Sequence, residues 1–465
     1  MTRDLYRLAA GFVLALLLAV SAAAADANAT SETNATPPAA WEHTYGGLSN
    51  ETLLSLIGAA GGGYLLVGDS AGGGDGGEIY LVRADSNGTP VREARVPIGA
   101  ANPVAASRTP ENGTVVVGGS GGAGPGSADV VLARLDPDGR QLWSRSYSAG
   151  GERNAAAAVR PASDGGYLVA GTTELPSGGS PGLLLLKVGE DGGEAWHRSL
   201  SLDGSVLVVS DLVATPDGGY LVVGSTGGGR AALLDILLVK VSSGGNREWQ
   251  RTYSFGAETA SGQTLAPASD GGWLLLGGVG GAGSHAAVLV KVDTAGNEQW
   301  RKRLSAGGAR TWGYALAPAG SGGYAVAGAV AAREGTRSYV AVLDRAGSEA
   351  WNRSFAIGNG PSRALAVTAP DDTRLVVAGA ASRTPDALYD LYLASVVPPT
   401  VAPNATATVH VTATVTATAT PGETPTANAT STSTTPLPIP TQAAPAPLLC
   451  LAAFAGLAVA ALRRR

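Results

Sequence analysis

Short apolar segments separated by turn residues recur along the central part of the chain. In one stretch, apolar residues occupy Val208–Thr215, Tyr220–Gly224 and Ile236–Val241, and Glu248–Tyr253 alternates in character. The residues between these segments are rich in Pro, Asp, Gly and Ser, which are typical of turns. The pattern therefore predicts four short strands that form one antiparallel sheet.

The predicted fourth strand has two different faces. Trp249, Arg251 and Tyr253 share one face, whereas Gln250 and Thr252 lie on the other. A strand of this kind packs on one side and meets water on the other. The stem of the cation can pack between its apolar neighbours while its head lies near an aromatic ring. We interpret the cation as structural, rather than as a ligand contact, because the pattern recurs in every regular unit.

The same unit repeats about every fifty residues. From Trp143 onward the tryptophans are separated by 53, 53, 51 and 51 residues, and Trp41 precedes Trp143 by 102 residues, twice 51. A degenerate unit is predicted at the missing midpoint, around Val91. Seven units then cover residues 41–397. The predicted structural anchors of the repeat are Trp41, Trp143, Trp196, Trp249, Trp300 and Trp351.

The phase of the repeat predicts how the fold closes. The region begins with a lone fourth-type strand, Trp41–Tyr45, and ends after a third-type strand, Leu391–Val397. Radial closure leaves only short, protected sheet edges. We therefore predict an all-β, seven-bladed β-propeller of four-stranded antiparallel blades, in which the N-terminal strand completes the seventh blade.

The repeat motifs resemble the propeller repeats of secreted archaeal and bacterial proteins related to the quinoprotein-like and WD-repeat-like groups. The matching elements are the Asp-Gly-Gly-Tyr turn at 217–220, the Leu-Leu-Val-Lys-Val run at 237–241, the Asp-x-x-Gly turn at 293–296 and the tryptophan strand. The resemblance implies a propeller fold over about 357 residues. It says little about function, because propellers host many unrelated activities.

The two ends of the chain predict export and anchoring. Residues 1–25 combine a basic start, an apolar run and small residues, as in a secretory signal peptide. Residues 26–40 form an Asn/Thr-rich exposed segment, and residues 398–447 form a Thr/Pro-rich disordered stalk. Residues 448–465 form a short apolar membrane anchor with a basic end. This tail resembles archaeosortase-type sorting signals of archaeal surface proteins, which implies anchoring at the cell surface.

Asn-x-Ser/Thr sequons agree with an exported glycoprotein, because they are glycan acceptors only in exported chains. They begin at Asn28, Asn34, Asn50, Asn87, Asn112, Asn352, Asn404 and Asn428.

Composition excludes several classes of protein. The formal net charge of −5 argues against a nucleic-acid partner. A single cysteine excludes a disulfide framework and a cysteine-ligated zinc site within the chain. The 67 glycines disfavour a helical bundle.

Matches to motifs for catalysis or cofactor binding occur in this sequence, but they lack the structural context that the chemistry needs. Gly-x-Ser-x-Gly occurs at 118–122 and 178–182, in predicted glycine-rich loops between strands. A dinucleotide-like glycine pattern occurs at 278–283, but no helix or βαβ unit follows it. His43, His197 and His285 lie in different units, which argues against a shared metal. Turn acids such as those in Asp136–Gly139 are better explained by side-chain bonds to the turn backbone than by calcium. We therefore predict no catalytic residue, metal or cofactor.

The remaining candidates lie on one rim. Propeller topology brings together the loops after the tryptophan strands and the loops between second and third strands. Variable segments such as Glu174–Pro181 and Arg333–Arg337 lie there, and variable loops on a regular scaffold commonly form a binding surface. The candidate ligand-binding residues are Glu51, Glu152, Asp203, Glu258, Arg153, Arg310 and Arg363.

These observations favour a surface-anchored, glycosylated propeller that is not an enzyme and acts in binding, adhesion or envelope structure. Its expected partner is a cell-envelope glycan or a surface protein, and its C-terminal helix contacts the membrane. One alternative is an extracytoplasmic enzyme of the quinone-dependent dehydrogenase type. That would need a charged axial site, whereas the predicted inner strands are rich in alanine, as at Ala155–Ala158. The other alternative is an envelope assembly factor.

Overall fold

The computed structural model describes residues 41–398, apart from residues 48, 60–61, 71–76, 99–100, 121–128, 150–152, 175–180, 205, 228–232, 282–283, 321, 334, 372 and 383–387. The predicted signal peptide, the segment 26–40, almost all of the predicted stalk and the predicted membrane anchor lie outside the described residues. Within the described part of the chain, no helix has the length and apolar character needed to cross a membrane.

In the described part of residues 41–398, twenty-eight strands form seven four-stranded antiparallel sheets, so the predicted seven-bladed propeller is confirmed. Strand β1 (Trp41–Tyr45) comes first in the chain. Blade 1 contains β2 (Glu51–Gly58), β3 (Tyr64–Ser70), β4 (Glu78–Ala84) and β5 (Pro90–Pro97). Blade 2 contains β6 (Ala101–Arg108), β7 (Thr114–Ser120), β8 (Val130–Leu135) and β9 (Gln141–Tyr147). Blade 3 contains β10 (Asn154–Pro161), β11 (Tyr167–Thr173), β12 (Gly182–Val188) and β13 (Glu194–Leu200).

The remaining blades follow the same order. Blade 4 contains β14 (Val206–Ala214), β15 (Tyr220–Gly227), β16 (Leu234–Val241) and β17 (Arg247–Tyr253). Blade 5 contains β18 (Thr259–Pro267), β19 (Trp273–Gly281), β20 (Ser284–Val292) and β21 (Glu298–Leu304). Blade 6 contains β22 (Thr311–Ala319), β23 (Gly323–Ala332), β24 (Gly335–Leu343) and β25 (Glu349–Phe355). Blade 7 contains β26 (Ser362–Asp371), β27 (Arg374–Ser382), β28 (Tyr389–Val396) and, from the chain start, β1.

The N-terminal strand completes blade 7. Strand β1 pairs antiparallel with β28, with Trp41 opposite Ser395 and Tyr45 opposite Leu391. The first and last described strands of the chain therefore lie side by side in one sheet. This arrangement fastens the two ends of the repeat region together.

The hydrophobic core lies between the blades. The buried apolar residues form seven clusters, each of which joins two consecutive blades. One of them joins blade 7 to blade 1 through Tyr45, Leu53 and Leu391. Because every blade packs on the next and the seventh packs on the first, the sheets form a closed ring.

Strand bounds extend beyond the apolar segments of the sequence. In blade 4 the third strand begins at Leu234 rather than at Ile236, because Asp235 pairs with Thr226 on the neighbouring strand. The apolar pattern finds the part of a strand that packs in the core, and the backbone ladder continues past it into polar residues.

The prediction that Val91 marks the degenerate unit is off by one residue. Arg92 pairs with Arg83, as Trp143 pairs with Arg134, so Arg92 occupies the tryptophan position of blade 1. Val91 lies at a bulge next to that pair and is 67% exposed. Every regular fourth strand has the same bulge, so the interval between packed residues is unchanged, and the midpoint between Trp41 and Trp143 is residue 92.

The two faces of the ring differ in how they connect strands. We call the face that carries the turns from first to second and from third to fourth strands the short-turn face; 215–219 and 242–246 are examples. We call the opposite face, which carries the second-to-third loops and the connections between blades, the long-loop face; 254–258 is an example.

Candidate functional site

The tryptophan strands join neighbouring blades at the short-turn face. The ring of Trp249 in blade 4 lies against Gly296 in the third-to-fourth turn of blade 5, where a β-carbon would come within 2.8 Å of the ring. Gly296 has a φ of +79°, which favours glycine. The hydroxyl of Tyr253 donates to the carbonyl of Gly296 at 2.7 Å. We call this arrangement of tryptophan and tyrosine on the next blade's turn a clasp.

The tryptophan part of the clasp recurs where Trp41, Trp143, Trp196 and Trp300 lie against Gly88, Gly192, Gly245 and Gly347. The tyrosine part occurs in blades 7, 2 and 4, and leucine replaces it in blades 3 and 5. The cation of the strand lies where the sequence predicts it. Arg198, Arg251 and Lys302 each lie within 5.5 Å of the neighbouring tryptophan ring on the same strand. Tyr147 donates to the carbonyl of Gly192 at 2.7 Å, and Tyr45 donates to that of Gly88, which links blade 7 to blade 1. These contacts account for the shared face of the outer strands as packing.

Buried lysines fix the first-to-second turns. Lys187, Lys240 and Lys291 have side chains that are at most 7% exposed. Each forms an ion pair with the aspartate of the Asp-Gly-Gly turn in its own blade: Lys187 with Asp164 at 3.0 Å, Lys240 with Asp217 at 2.8 Å, and Lys291 with Asp270 at 2.8 Å. Hydrogen bonds from Lys240, Thr215 and the Gly219 amide hold the pKa of Asp217 well below its usual range.

In the third-to-fourth turns, aspartate side chains accept hydrogen bonds from the turn backbone. Asp136 Oδ1 accepts from the amides of Asp138 and Arg140 at 2.8 and 2.9 Å. Asp293 accepts from the amides of Ala295 and Asn297 in the same way. The described residues contain no group of three or more His, Cys, Asp or Glu side chains that could hold a metal.

Features shared by the blades serve the scaffold, so departures from the repeat are the candidates for function. On the fourth strand, the two residues that face away from the clasp are Ser144 and Ser146 in blade 2, and Gln250 and Thr252 in blade 4. The same positions hold Glu93 and Arg95 in blade 1 and Arg301 and Arg303 in blade 5. Both pairs lie near the long-loop face.

In blade 1, Arg95 holds a buried carboxylate. Arg95 donates to Glu51 Oε1 at 2.8 Å and to the Ser70 hydroxyl, and its guanidinium lies 4.5 Å from the Tyr80 ring. Glu51 is 0% exposed, and its Oε2 is buried with no hydrogen-bond partner among the described residues. Burial raises the pKa of Glu51 and outweighs the opposing effect of Arg95. Glu51 is therefore not open to solvent as a rim residue.

In blade 5, the equivalent pair is exposed. Arg303 donates to Glu258 Oε1 at 3.1 Å and also to Oε2, and these side chains are 50% and 33% exposed. The Arg303 hydrogen bonds lower the pKa of Glu258. Arg301 lies beside them and forms an ion pair with Glu298. A cleft of about 430 Å³ is lined by these arginines and the connection that contains Phe255.

The other predicted rim residues lie apart from this cleft. Arg310 lies 5.7 Å from the ring of Trp312, which also stacks on His285 at 5.3 Å. Arg363 is 9% exposed and lies 5.5 Å from the Tyr389 ring. Asp203 is exposed, Arg153 is half-buried, and Glu152 lies outside the described residues. Of the six predicted residues that the structure describes, Glu258 alone is shown in contact with a residue that lines the cleft, Arg303.

A charged group on the innermost strands went unrecognised in the sequence. Arg160 of β10 donates to Asp211 Oδ1 of β14 at 2.6 Å, and the hydroxyl of Thr264 on β18 donates to Asp211 Oδ2 at 2.7 Å. The argument that alanine-rich inner strands leave no axial charge is therefore wrong for blades 3 to 5. The three residues lie more than fifty positions apart in sequence, and only the repeat register aligns them.

Four of the predicted sequons fall on described residues. Asn87, Asn112 and Asn352 are exposed, and the first two lie in short-turn-face turns. Asn50 is half-buried on the long-loop face, and its Oδ1 accepts from the Tyr389 amide at 3.0 Å. The sequons at Asn28, Asn34, Asn404 and Asn428 lie outside the described residues.

Comparisons with known proteins show likeness of fold alone. No protein-family model matches the chain, and no curated protein matches it. The chain is similar to an α-L-arabinanase of Penicillium chrysogenum complexed with arabinobiose, at 13% identity and a TM-score of 0.46, over 77% of this chain and 98% of that one. It is similar to an α-L-arabinofuranosidase of Fusarium graminearum at 11% identity and a TM-score of 0.43, over 74% and 93%.

A third similar structure is a protein of unknown function from Dyadobacter fermentans, at 10% identity and a TM-score of 0.46, over 77% and 98% of the two chains. The two fungal proteins are enzymes, and they correct our expectation that this chain is not one. What the three comparisons share with this chain is the β-propeller fold.

Proposed function

We propose that the chain is an exported, surface-attached propeller that binds a cell-envelope glycan at its long-loop face. The observation that carries the proposal is the contrast between repeated and unrepeated chemistry. The short-turn face repeats tryptophan contacts and, in blades 3 to 5, Asp–Lys pairs, whereas two arginine–glutamate pairs made by the fourth strands of blades 1 and 5, Arg95–Glu51 and Arg303–Glu258, lie toward the long-loop face. Non-repeated polar groups on a rigid scaffold are the usual material of binding sites.

The placement of the chain ends supports this orientation. Strand β1 starts at Trp41 and β28 ends at Val396, next to the paired Ser395, at the short-turn face. The described chain therefore begins and ends at the short-turn face, opposite the face at which we propose binding.

The test uses two matched arginine variants of residues 26–397, which include the complete ring. Arg303→Gln removes an exposed ion pair near the long-loop face, and Arg92→Gln removes an exposed ion pair, Arg92–Asp138 at 3.5 Å, on the short-turn face. Both proteins and the parent are applied to glycan and protein arrays. Glycan binding that Arg303→Gln weakens and Arg92→Gln preserves supports the proposal.

Three results would contradict the proposal. Absence of any glycan ligand for the folded parent protein rejects a glycan-binding role, and capture of proteins alone replaces it with a protein-binding role. Loss of binding in Arg92→Gln but not in Arg303→Gln moves the site to the other face. The recovered glycan is also analysed by mass spectrometry, so that turnover is detected if it occurs.

A further inference from the structure

A cleft opens on the flank of the ring between blades 4 and 5, near the long-loop face. It has a volume of about 430 Å³ and is lined by Ser254–Gly256, Val288 and Arg301–Arg303. This volume lies within the range of small-molecule sites. We call it the blade 4–5 cleft.

The connection that forms one wall is held in a fixed shape. Phe255 and Glu258 form an isolated antiparallel bridge, and Gly256 between them has a φ of +71°. A glycine adopts this backbone conformation without strain. The connection therefore presents an aromatic ring and a carboxylate together at the edge of the cleft.

The opposite wall presents two guanidinium groups that are already oriented. The Arg301 guanidinium lies 4.4 Å from the Phe255 ring, and it donates to the Ser254 carbonyl at 2.6 Å and to Glu298 Oε1 at 2.6 Å. Arg303 is held by both oxygens of Glu258. Paired in this way, the planar groups keep their orientation while 36% of Arg301 and 50% of Arg303 remain exposed.

Blade 5 is the only blade that carries two arginines at these positions of its fourth strand. The corresponding residues of blade 3 are His197 and Ser199, and those of blade 6 are Asn352 and Ser354. Blades with small polar residues there form the same four-stranded sheet. The arginine pair is therefore not required to build a blade.

The chemistry of the walls identifies the class of ligand. Two arginines and the two glutamates that bind them leave little net charge, and Lys302, which also lines the cleft, directs its Nζ to Ser348 of blade 6. An anion would therefore meet guanidiniums that already have carboxylate partners. A neutral saccharide differs, because its vicinal hydroxyls both donate and accept. They can use the remaining guanidinium N–H groups and carboxylate lone pairs while an apolar sugar face covers exposed carbon. We propose that the blade 4–5 cleft binds a neutral saccharide chain; this rests on the proposed function and names its site and ligand class.

The experiment measures binding to defined oligosaccharides by calorimetry. Residues 26–397 are titrated with cellohexaose, xylohexaose, mannohexaose and arabinohexaose, and with hexagalacturonate as the anionic probe. The variants Arg301→Gln and Phe255→Leu alter the cleft. Arg198→Gln is the matched control, because Arg198 is an exposed arginine on the fourth strand of blade 3 that lies over Trp196 and lines no part of the cleft.

We expect at least one neutral hexasaccharide to bind and each cleft variant to weaken it about tenfold or more, with Arg198→Gln unchanged. Hydrogen exchange adds a readout that needs no substitution: the ligand should slow exchange of backbone amides in 254–260 and 298–304 of the parent protein. Unfolding curves identify any variant that fails to fold, and the exchange result then decides.

The alternatives are distinguishable. Saccharide binding that survives both cleft variants, or protection elsewhere on the long-loop face, overturns the cleft and leaves the proposed function standing. Tighter binding of hexagalacturonate than of any neutral probe overturns the ligand class. Absence of every ligand on the arrays overturns the proposed function itself.

Discussion

The short-turn and long-loop faces contain the same residue types, but these residues have different roles on the two faces. On the short-turn face, Lys240 meets Asp217 and Trp249 covers Gly296, and equivalent contacts recur in the neighbouring blades. Toward the long-loop face, Arg95 and Arg303 occupy equivalent positions of two blades, yet one binds a fully buried glutamate and the other an exposed one. In a repeat protein, contacts that recur in successive blades are those that hold the ring closed. Equivalent positions that differ between blades are those at which the chain can acquire a function.

Removing β1 tests how much the completion of blade 7 contributes to the stability of the ring. A protein that starts at residue 46 lacks the strand that completes blade 7 and the buried Tyr45. Loss of the buried aromatic residue alone should cost about 3–5 kcal/mol, and β28 becomes an unprotected edge. We expect a loss of the cooperative unfolding transition or association into oligomers, measured by thermal unfolding and size-exclusion chromatography.

A protein that starts at residue 38 is the control and should unfold as the parent does. If the protein that starts at residue 46 matched that control, strand closure would contribute nothing to the stability of the ring.

Trp249→Ala tests a single clasp. The half-buried ring covers Gly296 of the next blade, so its removal exposes apolar surface and leaves a gap between blades 4 and 5. We expect a loss of about 2 kcal/mol, below the range for fully buried aromatic residues, measured by denaturant unfolding. Gln250→Ala, on the other face of the same strand, should change stability little. Equal effects of the two substitutions would show that the clasp is not a stabilising contact.

The closed ring could be predicted from the sequence because the spacing and the phase of the repeat determine how the blades close. Tryptophans at a regular interval, together with a lone Trp41–Tyr45 strand and an unpaired Leu391–Val397 strand, determine both the number of blades and the way in which they join. The same spacing gives position 92, midway between Trp41 and Trp143. The bulge next to it could not be predicted, because it recurs in every regular fourth strand and leaves the interval unchanged.

The site was less accessible to sequence reasoning, for a physical reason. Glu51 looked like an exposed rim residue, but its burial depends on Arg95, which lies 44 positions away. Asp211 was not among the sequence candidates, because its partners, Arg160 and Thr264, lie on other blades. Phe255 could have been found by comparing equivalent connections in the aligned repeat. It is an aromatic residue at a position that holds Ile98, Ala149, Leu202, Ala306 or Ile357 in other blades.

Arg92→Trp tests whether the scaffold accepts a clasp where the repeat lacks one. Gly139 of blade 2 has a φ of +77°, like the glycines that other clasps cover, and a groove lined by Leu65, Leu81 and Ala94 lies beside it. A tryptophan there should cover apolar surface and stabilise the ring by about 1 kcal/mol. The lost Arg92–Asp138 pair is exposed and contributes little.

Arg92→Gln is the control, because it removes the charge without adding an aromatic side chain. Denaturant unfolding measures the stability of both variants. A stability no greater than that of Arg92→Gln would mean that the junction between blades 1 and 2 is built differently from the others.

The smallest expected effect is that of pH on stability. It distinguishes the two faces most directly, because lowering the pH should stabilise the protein through Glu51 and destabilise it through Asp217. The pKa of Glu51 is raised by burial, so the folded state binds its proton more tightly than the unfolded state does. Its contribution to stability is complete below the ordinary value of 4.5 and is lost as pH rises through the folded-state pKa. Stability should therefore increase slightly on going from neutral pH toward about 4.5.

The pKa of Asp217 is lowered by the hydrogen bond from Lys240, so its contribution is present above the ordinary value of 3.8 and is lost as pH falls below it. Because the Asp217 side chain is 59% exposed, solvent screening limits this contribution to less than about 1 kcal/mol. Denaturant unfolding from pH 7 to pH 2.5 should show Glu51→Gln flattening the upper part of the profile and Asp217→Asn the lower part. If either variant flattened both parts, the two carboxylates would be coupled across the blades, and the separation of a repeated scaffold from a divergent long-loop face would not hold for electrostatics.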